Sequence, residues 1–566
     1  MKLSKPIVKK SANDRALPAK MWRFGILYVF VAALLFVTVW RLVDLSFISR
    51  SFLVKQADAR IVRKIKMPAF RGMIVDRQNQ PLAISTPVIT AWLNPKDFSA
   101  NQNQLSNLSH LLHMPVSKIL AKANINKREF VYLKRRMSPQ LEPKLKALKI
   151  KGLYFDQEYK RFYPSGEVSA QVLGLTNIDD RGIEGLELAY NNWLQGENGL
   201  REVIKDRKGH IIATTGVLKK PNEGKKLQLS IDNRLQYVAY HQLQNDLKKF
   251  DAEAASVVVE DIQTGEVLAM VNLPSFNPNA RQKNDFGQLR NRAVTDAFEP
   301  GSTIKAFNVA IALESQKYNP KTLIKTSPGW MMVGGHAIHD THDHGTITLT
   351  QLLQLSSNVG AAKVMLSLDP QNYWNLLKRV GFGERPNVGF PGESSGSLIY
   401  HNHWTPSETA SLAFGYTLSV TTMQLADAYA VIADHGMRKA PTLLLQDKKV
   451  VSQQVMDPVI AKTIAKMMES VVTKDGTGFH ARVNGFRVAG KTGTAYIAGK
   501  GGYDKKHYMA SFVGFAPASR PRYVVAVNVK NPKKLSHFGG TVAGPVFAKV
   551  MAAALRLNNI APDGSS

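Results

Sequence analysis

The segment FEPGSTIK, residues 298–305, is a turn that opens into an apolar run with the periodicity of a helix. Ser302 lies in the first helical turn, and Lys305, three residues later, shares its face and is within side-chain reach. The positive end of the helix dipole disfavours the charged form of this lysine, and burial would do so further. An unprotonated amine beside the hydroxyl fits a serine nucleophile with a lysine base. By itself, S-x-x-K also fits an N-cap serine followed by a solvated lysine.

A second polar motif, Ser356-Ser357-Asn358, interrupts an apolar segment that favours a helix, LLQLSSNVGAAKVM. Small hydroxyl and amide groups have no packing reason to cluster there. As part of a site, Ser356 offers a proton relay, and Asn358 offers an amide that can fix a peptide carbonyl.

A third motif, Lys491-Thr492-Gly493-Thr494, lies in a strand-like run. We expect Gly493 to remove a side chain that would block a substrate lying antiparallel on the strand edge. The lysine and the threonine hydroxyls can then hold a carboxylate. The backbone N–H of Thr494 can join that of Ser302 as an oxyanion-binding pair.

The text around these motifs alternates between strand and helix patterns and predicts an α+β or α/β fold. A helix at 234–250 leads into a hairpin at 254–274 whose turn is Gln263-Thr264-Gly265. The other predicted helices cover 302–314, 350–364, 372–380, 422–433, 457–472 and 543–555. The other predicted strands of this half lie within 486–497, 508–519 and 522–530.

The N-terminus carries a candidate membrane anchor. Residues 24–40, FGILYVFVAALLFVTVW, are 17 residues without a charge, at the short end of a spanning helix. Residues 1–23 hold seven Lys and Arg against one acid, which predicts a cytoplasmic N-terminus and an extracytoplasmic remainder. The segment ends without the small-residue cleavage site of a signal peptide, which favours an uncleaved anchor.

Composition excludes several classes of protein. The 566 residues include no cysteine, so disulfides, thiolate nucleophiles and Cys-ligated zinc are excluded. The formal net charge is +31, and residues 1–230 carry 39 Lys and Arg against 18 Asp and Glu. We find neither a basic face with stacking aromatics nor a helix-turn-helix pattern, so we predict no nucleic-acid partner. A basic run at 118–151 fits a solvated helix face or, alternatively, an anionic partner such as the membrane surface or a polymer.

One segment raises the question of a metal. HAIHDTHDHG, at 336–345, crowds six potential ligands: His336, His339, Asp340, His342, Asp343 and His344. Alternation along a turn or hairpin points these side chains to both faces, so all six cannot converge. No H-E-x-x-H pair accompanies them. We therefore predict no metal and no cofactor.

The three motifs, in this order, resemble the set of the penicillin-binding proteins and class A β-lactamases. The chain resembles class B penicillin-binding proteins over nearly its whole length, and most of all the division-specific, FtsI-type peptidoglycan D,D-transpeptidases. The matching strings are RGMIVDRQNQPLA at 71–83, RFYPSGEVSAQVLGLTNIDDRGIEGLE at 161–187, DIQTGEVLAMVNLPSFNPN at 261–279, RNRAVTDAFEPGSTIK at 290–305, SSNVGAAK at 356–363, FGYTLSVTTMQLADAYA at 414–430, VAGKTGTA at 488–495 and FGGTVAGPVF at 538–547.

The resemblance implies a single inner-membrane anchor, a mixed α+β pedestal of the penicillin-binding protein dimerisation type, and a periplasmic transpeptidase domain. The last resembles serine β-lactamases, with an antiparallel sheet and a helical subdomain. The expected ranges are 1–23 for a cytoplasmic basic tail, 24–42 for the anchor, 43–57 for a linker, 58–229 for the pedestal, 230–558 for the transpeptidase domain and 559–566 for a tail.

The resemblance also implies roles for the motif residues. Ser302 is the acylated nucleophile, Lys305 its general base, and Ser356 with Asn358 the second motif. The carboxylate and oxyanion contacts are Lys491, Thr492, Gly493 and Thr494. One position departs from the family: Ala306 follows the lysine where many relatives have proline, which affects the helix geometry rather than the chemistry.

The implied reaction cross-links peptidoglycan at the septum. Ser302 displaces the terminal D-Ala of a stem peptide ending in D-Ala-D-Ala, and an amine of a neighbouring stem resolves the acyl-enzyme. β-Lactams mimic the donor and acylate the same serine. The residues before the transpeptidase domain match the pedestal strings and leave no room there for a glycosyltransferase domain. A separate membrane glycan polymerase and other division proteins are therefore the expected partners.

Several alternatives stay open at this point. An elongation-specific or second-paralogue class B transpeptidase would carry the same motifs. A β-lactamase or D,D-carboxypeptidase would transfer the acyl group to water instead, although the pedestal and the anchor disfavour it. A catalytically silent sensor would keep the fold, but the intact Ser302, Lys305 and Lys491 disfavour that interpretation.

Overall fold

The structure is a computed structural model and describes residues 21–125, 128–205, 211–280, 285–446, 450–499 and 502–564. The chain divides into two compact units, one of 1–67 with 199–220, the other of 68–198 with 221–566. Residues 1–20, the predicted basic tail except its last three positions, lie outside the described residues, as do the last two residues of the chain.

The described α-helices are α1 (Met21–Val43), α2 (Arg50–Ile61), α3 (Gln102–Leu112), α4 (Val116–Ala123), α5 (Leu141–Ala147), α6 (Ala170–Leu173), α7 (Gly185–Ala189), α8 (Asn191–Leu194), α9 (Asn233–Phe250), α10 (Arg292–Thr295), α11 (Lys305–Glu314), α12 (Leu349–Leu355), α13 (Asn358–Leu366), α14 (Pro370–Arg379), α15 (Pro406–Ala413), α16 (Thr422–Ala433), α17 (Pro458–Glu469), α18 (Gly539–Val542) and α19 (Gly544–Leu557). A 3-10 turn at Gly301–Ile304 precedes α11.

The described strands are β1 (Val62–Met67), β2 (Ile74–Val75), β3 (Pro81–Leu93), β4 (Val131–Met137), β5 (Leu153–Phe162), β6 (Leu175–Thr176), β7 (Gly182–Glu184), β8 (Gly199–Lys205), β9 (Ile211–Lys219), β10 (Leu227–Gln228), β11 (Ala254–Asp261), β12 (Val267–Leu273), β13 (Leu323–Lys325), β14 (Trp330–Val333), β15 (His336–His339), β16 (Thr346–Thr348), β17 (Ser397–Leu398), β18 (Leu418–Ser419), β19 (Met437–Lys439), β20 (Ser452–Gln454), β21 (Ala489–Gly499), β22 (Gly502–Ala516) and β23 (Tyr523–Lys530).

The smaller unit contains the apolar helix and a three-stranded sheet. Helix α1 covers the predicted anchor and buries none of its side chains. Met21–Ile48 is the single helical stretch, among the described residues, that is long and apolar enough to cross a membrane. The predicted linker at 43–57 is helical, because a π-helical turn at Asp44–Ile48 carries the chain from α1 towards α2. In the sheet, β8 lies between β1 and β9, and both pairings are antiparallel.

The pedestal part of the larger unit is built on a sheet of order β10-β2-β3-β4, with β5 also paired to β3. Three buried ionised side chains connect distant segments of this part of the chain. The carboxylate of Glu187 accepts from Arg71 Nε at 2.5 Å and from Arg161 Nε at 2.6 Å, and all three side chains are almost fully buried. Losing one member would leave an unpaired buried charge, which typically costs about 3–5 kcal/mol. The strings at 71–83 and 161–187 therefore meet in space at this triad.

The basic run at 118–151 is partly internal. Lys122 Nζ donates to the carbonyls of Tyr132 and Leu133, and Lys134 Nζ donates to the carbonyl of Leu112. Arg135 forms ion pairs with Glu158 and Asp179. These Lys and Arg side chains therefore bond to backbone carbonyls and carboxylates within the protein. Part of the basic run is explained in this way without an anionic partner.

The C-terminal part of the larger unit contains an antiparallel five-stranded sheet of order β12-β11-β23-β22-β21. Every residue of β11 and β12 is buried, because helices cover both faces of the sheet. Helices α9 and α19 pack against it, as does α16, which is itself completely buried. The antiparallel sheet with its helical set confirms the predicted α+β class, and β21 is one of its two edge strands.

Candidate functional site

The turn that carries Ser302 is fixed by its backbone. Gly301 has φ +52° and donates its N–H to the carbonyl of Gly415 at 3.1 Å. The next carbonyl after the serine, that of Thr303, accepts from Tyr429 Oη at 2.6 Å, inside the core. Ser302 itself is half-buried. Among the described residues, its hydroxyl makes no hydrogen bond within the protein, so it is free to meet a ligand.

Lys305 is completely buried at the start of α11. Its Nζ donates to the carbonyl of Ser356 at 2.6 Å and to Asn358 Oδ1 at 2.6 Å, and the Ser356 hydroxyl lies 3.4 Å away. Burial lowers the pKa of Lys305 to about 7, although the nearby charge of Asp340 acts in the opposite direction. The predicted unprotonated amine is therefore accessible at neutral pH.

The second motif lies at a break between two helices, and the single helix predicted over 350–364 is wrong. Helix α12 ends at Leu355, Ser356 adopts a left-handed conformation with φ +61°, and α13 begins at Asn358. Ser357 caps the second helix by accepting from the N–H of Gly360 at 2.8 Å. The break turns the Ser356 carbonyl and the Asn358 side chain towards Lys305, which an unbroken helix could not do.

The lysine of the third motif also reaches Ser356. Lys491 Nζ donates to Ser356 Oγ at 2.9 Å, and its side chain is completely buried. Burial and the nearby Lys305 hold the pKa of Lys491 well below its ordinary value. Two buried amines that share one hydroxyl cannot both be charged without a large cost. Each amine therefore disfavours the charged form of the other, and Ser356 connects them.

The two threonines of the third motif take different positions on β21. Thr492 is buried, and its hydroxyl lies 2.8 Å from that of Thr477. Thr494 is half-buried, and its Oγ1 accepts from the N–H of Gly539 at 3.0 Å. Thr494 is thus the more accessible hydroxyl of the motif for a ligand carboxylate. Pairing of β21 with β22 on one side leaves its other edge towards the serine-bearing turn, which packs against it.

The structure indicates a reason for glycine at position 493 that differs from the one that we predicted. A Cβ at this position would lie 2.3 Å from Ser511 Oγ, 2.9 Å from Thr303 Cγ2 and 3.0 Å from the carbonyl oxygen of Pro300. The missing side chain therefore lets β21 pack against the turn that carries Ser302.

We expect Gly493→Ala to destabilise the protein by about 1–3 kcal/mol, because overpacking would push β21 away from the turn. Denaturant unfolding measures this loss of stability. Gly499→Ala on the same strand is the matched control, since its Cβ would meet nothing closer than 3.8 Å. Equal behaviour of the two variants would contradict this packing argument.

A cavity of about 620 Å³ lies beside the turn. Its lining includes Phe298 and Glu299, just before the serine, together with Thr417 and Tyr496. The Glu299 carboxylate accepts from Tyr503 Oη at 2.9 Å and from the N–H of Thr417 at 3.2 Å. Burial raises the pKa of Glu299 above its ordinary value. These contacts tie the cavity wall to the hairpin of β21 and β22.

Two protein-family models match the chain. The penicillin binding protein transpeptidase domain matches residues 255–552, and the penicillin-binding protein dimerisation domain matches residues 66–229. The chain belongs to the class B penicillin-binding proteins. Within this family, it is 44% identical to the probable peptidoglycan D,D-transpeptidase PbpC of Pseudomonas aeruginosa, over 92% of this chain and 93% of that protein. It is 38% identical to the peptidoglycan D,D-transpeptidase FtsI of Escherichia coli K12, over 96% of this chain and 93% of the relative.

A solved penicillin-binding protein has a similar fold. The structure is penicillin-binding protein 3 of Mycobacterium tuberculosis in complex with aztreonam, with a TM-score of 0.69 and 27% identity, covering 88% of this chain and 98% of that one. The predicted family is confirmed, as is the α+β fold with an antiparallel sheet.

Hydrogen bonds connect five of the eight predicted site residues into one network. Lys305 donates to Asn358 and to Ser356, and Ser356 also accepts a hydrogen bond from Lys491. Lys491 in turn donates to Thr492. Gly493 packs the strand against the turn of Ser302. Thr494 lies on the same strand but bonds to Gly539 instead.

Sequence reasoning missed two residues that support the motifs. Thr477 shares a hydrogen bond with Thr492, and nothing in its local sequence singled it out. Asp340, which we weighed only as a metal ligand, contacts the second motif instead. Within the described ranges, no three His, Asp or Glu side chains form a group that could hold a metal ion.

Proposed function

We propose that this chain is a septal peptidoglycan D,D-transpeptidase that cross-links stem peptides through an acyl-enzyme on Ser302 and is acylated there by β-lactams. One observation carries the proposal. Two buried lysines, Lys305 and Lys491, share the hydroxyl of Ser356 beside a serine whose own hydroxyl is unpaired within the described residues. This arrangement provides a base, a relay and a free nucleophile.

In the first step, Ser302 Oγ attacks the carbonyl between the two D-Ala residues of a donor stem. The neutral Lys305 amine has two N–H groups, and two short hydrogen bonds to Ser356 and Asn358 use both. Its lone pair remains for the proton of Ser302. The C–N bond then breaks, the terminal D-Ala leaves as an amine that takes up the proton, and an ester to Ser302 remains.

The second step reverses the proton transfers. An amine of a neighbouring stem attacks the ester carbonyl and loses a proton to the Lys305 and Ser356 pair, and Ser302 regains its hydrogen as it leaves. The backbone N–H groups of Ser302 and Thr494 hold the developing oxyanion in both steps. The hydroxyls of Thr492 and Thr494 hold the donor carboxylate. Ser356 connects Lys491 to the proton path, so this lysine tunes the site as well as supporting the strand.

The rest of the chain places this site at the membrane. We propose that 24–42 anchors the protein in the inner membrane with residues 1–23 in the cytoplasm, and that 58–229 and 230–558 form the pedestal and the transpeptidase domain in the periplasm. The exposed apolar length of α1 and its basic flank support this orientation. A separate membrane glycan polymerase and other division proteins supply and position the glycan strands.

The rate of acylation should depend on pH, with a midpoint near the pKa of Lys305. Its pKa is about 7, and the neutral form is the base, so the acylation rate rises with pH through about 7 and levels off above it. The second-order rate constant for a fluorescent penicillin, measured from pH 5.5 to 9 under conditions where the drug is intact, tests this. A rate that falls as pH rises through 7 would contradict a lysine base.

The function is tested with a donor stem peptide ending in D-Ala-D-Ala and an amine acceptor. A transpeptidase releases D-Ala and yields the amide with the acceptor, whereas a hydrolase releases D-Ala and yields the free acid. Penicillin separates the classes as well, because a transpeptidase keeps its acyl adduct for hours and a β-lactamase loses it within seconds. A chain that forms no adduct while folded would be a silent module.

A second division paralogue with the same chemistry is the alternative to the principal septal enzyme, since both would carry the same motifs. Depletion in the organism of origin distinguishes them, since loss of the principal enzyme blocks septation, whereas loss of a paralogue leaves division intact under standard growth.

A further inference from the structure

Asp340 follows β15, and its carboxylate lies at the first turn of α13, where the second motif ends. Its carboxylate accepts three hydrogen bonds: from Ser357 Oγ at 2.6 Å, from the N–H of Asn358 at 2.5 Å and from the N–H of Val359 at 3.1 Å. The free N–H groups at a helix start are satisfied by such a carboxylate, which also interacts favourably with the helix dipole. Here the capping carboxylate comes from a distant hairpin instead of the preceding residue.

The same segment also fixes the side chain of Asn358. Its Nδ2 donates to the carbonyl of His339 at 2.9 Å, and its Oδ1 accepts from Lys305 Nζ at 2.6 Å. The amide is thus held at its backbone by Asp340 and at its nitrogen by His339. With the nitrogen committed, the oxygen has one orientation, and that orientation faces the Lys305 amine.

We propose that Asp340 is a positioning residue that holds Asn358, and through it the Lys305 amine, in the arrangement that acylation of Ser302 requires. This inference rests on the proposed function, because it assigns a task within that reaction. Asp340 touches neither Ser302 nor the reacting atoms in this arrangement, and it acts through the start of α13. This positioning role explains why an aspartate lies in a histidine-rich segment whose sequence alone suggests a metal site.

Charge gives Asp340 a second effect on the same lysine. The charge of Asp340 raises the pKa of Lys305, and Lys305 in turn lowers the pKa of the neighbouring Lys491. Asp340 therefore offsets part of the burial that pushes Lys305 towards its neutral form. A variant that keeps the hydrogen bonds but loses the charge should leave a lysine that is neutral at lower pH.

Asp340→Asn is that variant. The amide oxygen can still accept from the N–H groups of Asn358 and Val359, and Ser357 Oγ can accept from the amide nitrogen. We expect the pH profile of Ser302 acylation to move to lower pH by about 1 unit, with a similar plateau. Asp340→Ala removes the hydrogen bonds as well, and we expect its plateau to fall by about tenfold to hundredfold, as when other supporting residues of a site are lost.

The matched control is Asp343→Asn, three residues along the same segment. The Asp343 carboxylate accepts only a local hydrogen bond, from the N–H of Gly345 at 2.9 Å, and Asp343 is exposed. We expect this variant to match the wild type in both midpoint and plateau. Each protein is compared as the full chain in detergent, with denaturant unfolding confirming that the variants are folded.

Three outcomes would overturn the inference, and a fourth bears on the function instead. Asp340→Asn and Asp340→Ala could both match the wild-type profile, so that no positioning occurs. Asp343→Asn could move the midpoint as far as Asp340→Asn, so that the effect is one of surface charge. Asp340→Asn could lower the plateau without moving the midpoint, so that the role is structural only. If the wild type itself is not acylated on Ser302, the proposed function fails before the variants are compared.

Discussion

Ser302→Ala should abolish covalent labelling by penicillin while leaving the protein folded. Labelling requires an oxygen nucleophile, and the half-buried Ser302 supplies the hydroxyl that lies at the turn packed against β21. The substitution removes no hydrogen bond among the described residues, so the cost in folding free energy is small, within about 0.5 kcal/mol. Gel fluorescence after incubation with a fluorescent penicillin measures the label, and denaturant unfolding measures the stability.

Ser315→Ala, at the end of the helix that follows Ser302, is the control for this experiment. Its hydroxyl donates to the carbonyl of Ala312 at 2.6 Å, away from the site, and labelling of this variant should equal that of the wild type. Retained labelling in Ser302→Ala would show that another residue is acylated. The nucleophile assignment would then be wrong, even though the three motifs converge.

Replacing Lys305 should slow acylation by about 10² to 10⁴-fold, the range typical of losing a general base. Lys305→Ala removes the amine and also leaves a cavity, because the side chain is completely buried. Lys305→Met keeps most of the volume and removes only the base and its two short hydrogen bonds. Both variants should lose the rise of the rate through pH 7. Stopped-flow acylation at saturating penicillin measures the rate in each.

Lys317→Ala is the matched control, since its exposed amine donates to the carbonyl of Ser367 at a distance from the motifs. An acylation rate in Lys305→Met equal to that of the wild type would remove Lys305 from the mechanism. In that case the neutral amine that shares Ser356, that of Lys491, would be the remaining base.

Local patterns predicted much of the catalytic unit. Helix α16 begins and ends at Thr422 and Ala433, as the apolar periodicity predicts, and the hairpin of β11 and β12 turns at Gln263 to Gly265. These elements are determined by short-range signals, namely a capping box at Thr421 and a glycine with φ +71° at 265. The central strands are uninterrupted apolar runs because both faces of the sheet are buried.

The errors arose where a distant residue decides the local structure. The apolar sequence over 350–364 favours one helix, whereas the chain breaks at Ser356 and Asp340 reaches the start of α13 from another hairpin. No window of local sequence contains that contact. The packing around Gly493 is equally non-local, because the atoms that a Cβ would meet belong to Ser511 and to the turn of Ser302.

The site residues were accessible from sequence because each motif joins residue types that seldom cluster without a chemical role. Their geometry was not accessible in the same way. Nothing in the spacing of Lys305 and Lys491 predicts that both amines reach one hydroxyl, that of Ser356, or that both are completely buried. That shared contact follows from the packing of the helix break against β21.

Peptide mass spectrometry after exposure of the protein to penicillin tests the central claim most directly. The 58–566 fragment or the full chain in detergent is incubated with the drug, digested and mapped, and the adduct is followed over hours. The account predicts one adduct, on the peptide that contains Ser302, with the mass of an intact penicilloyl group and a lifetime of hours. An adduct on another residue, or folded protein without any adduct, would contradict it.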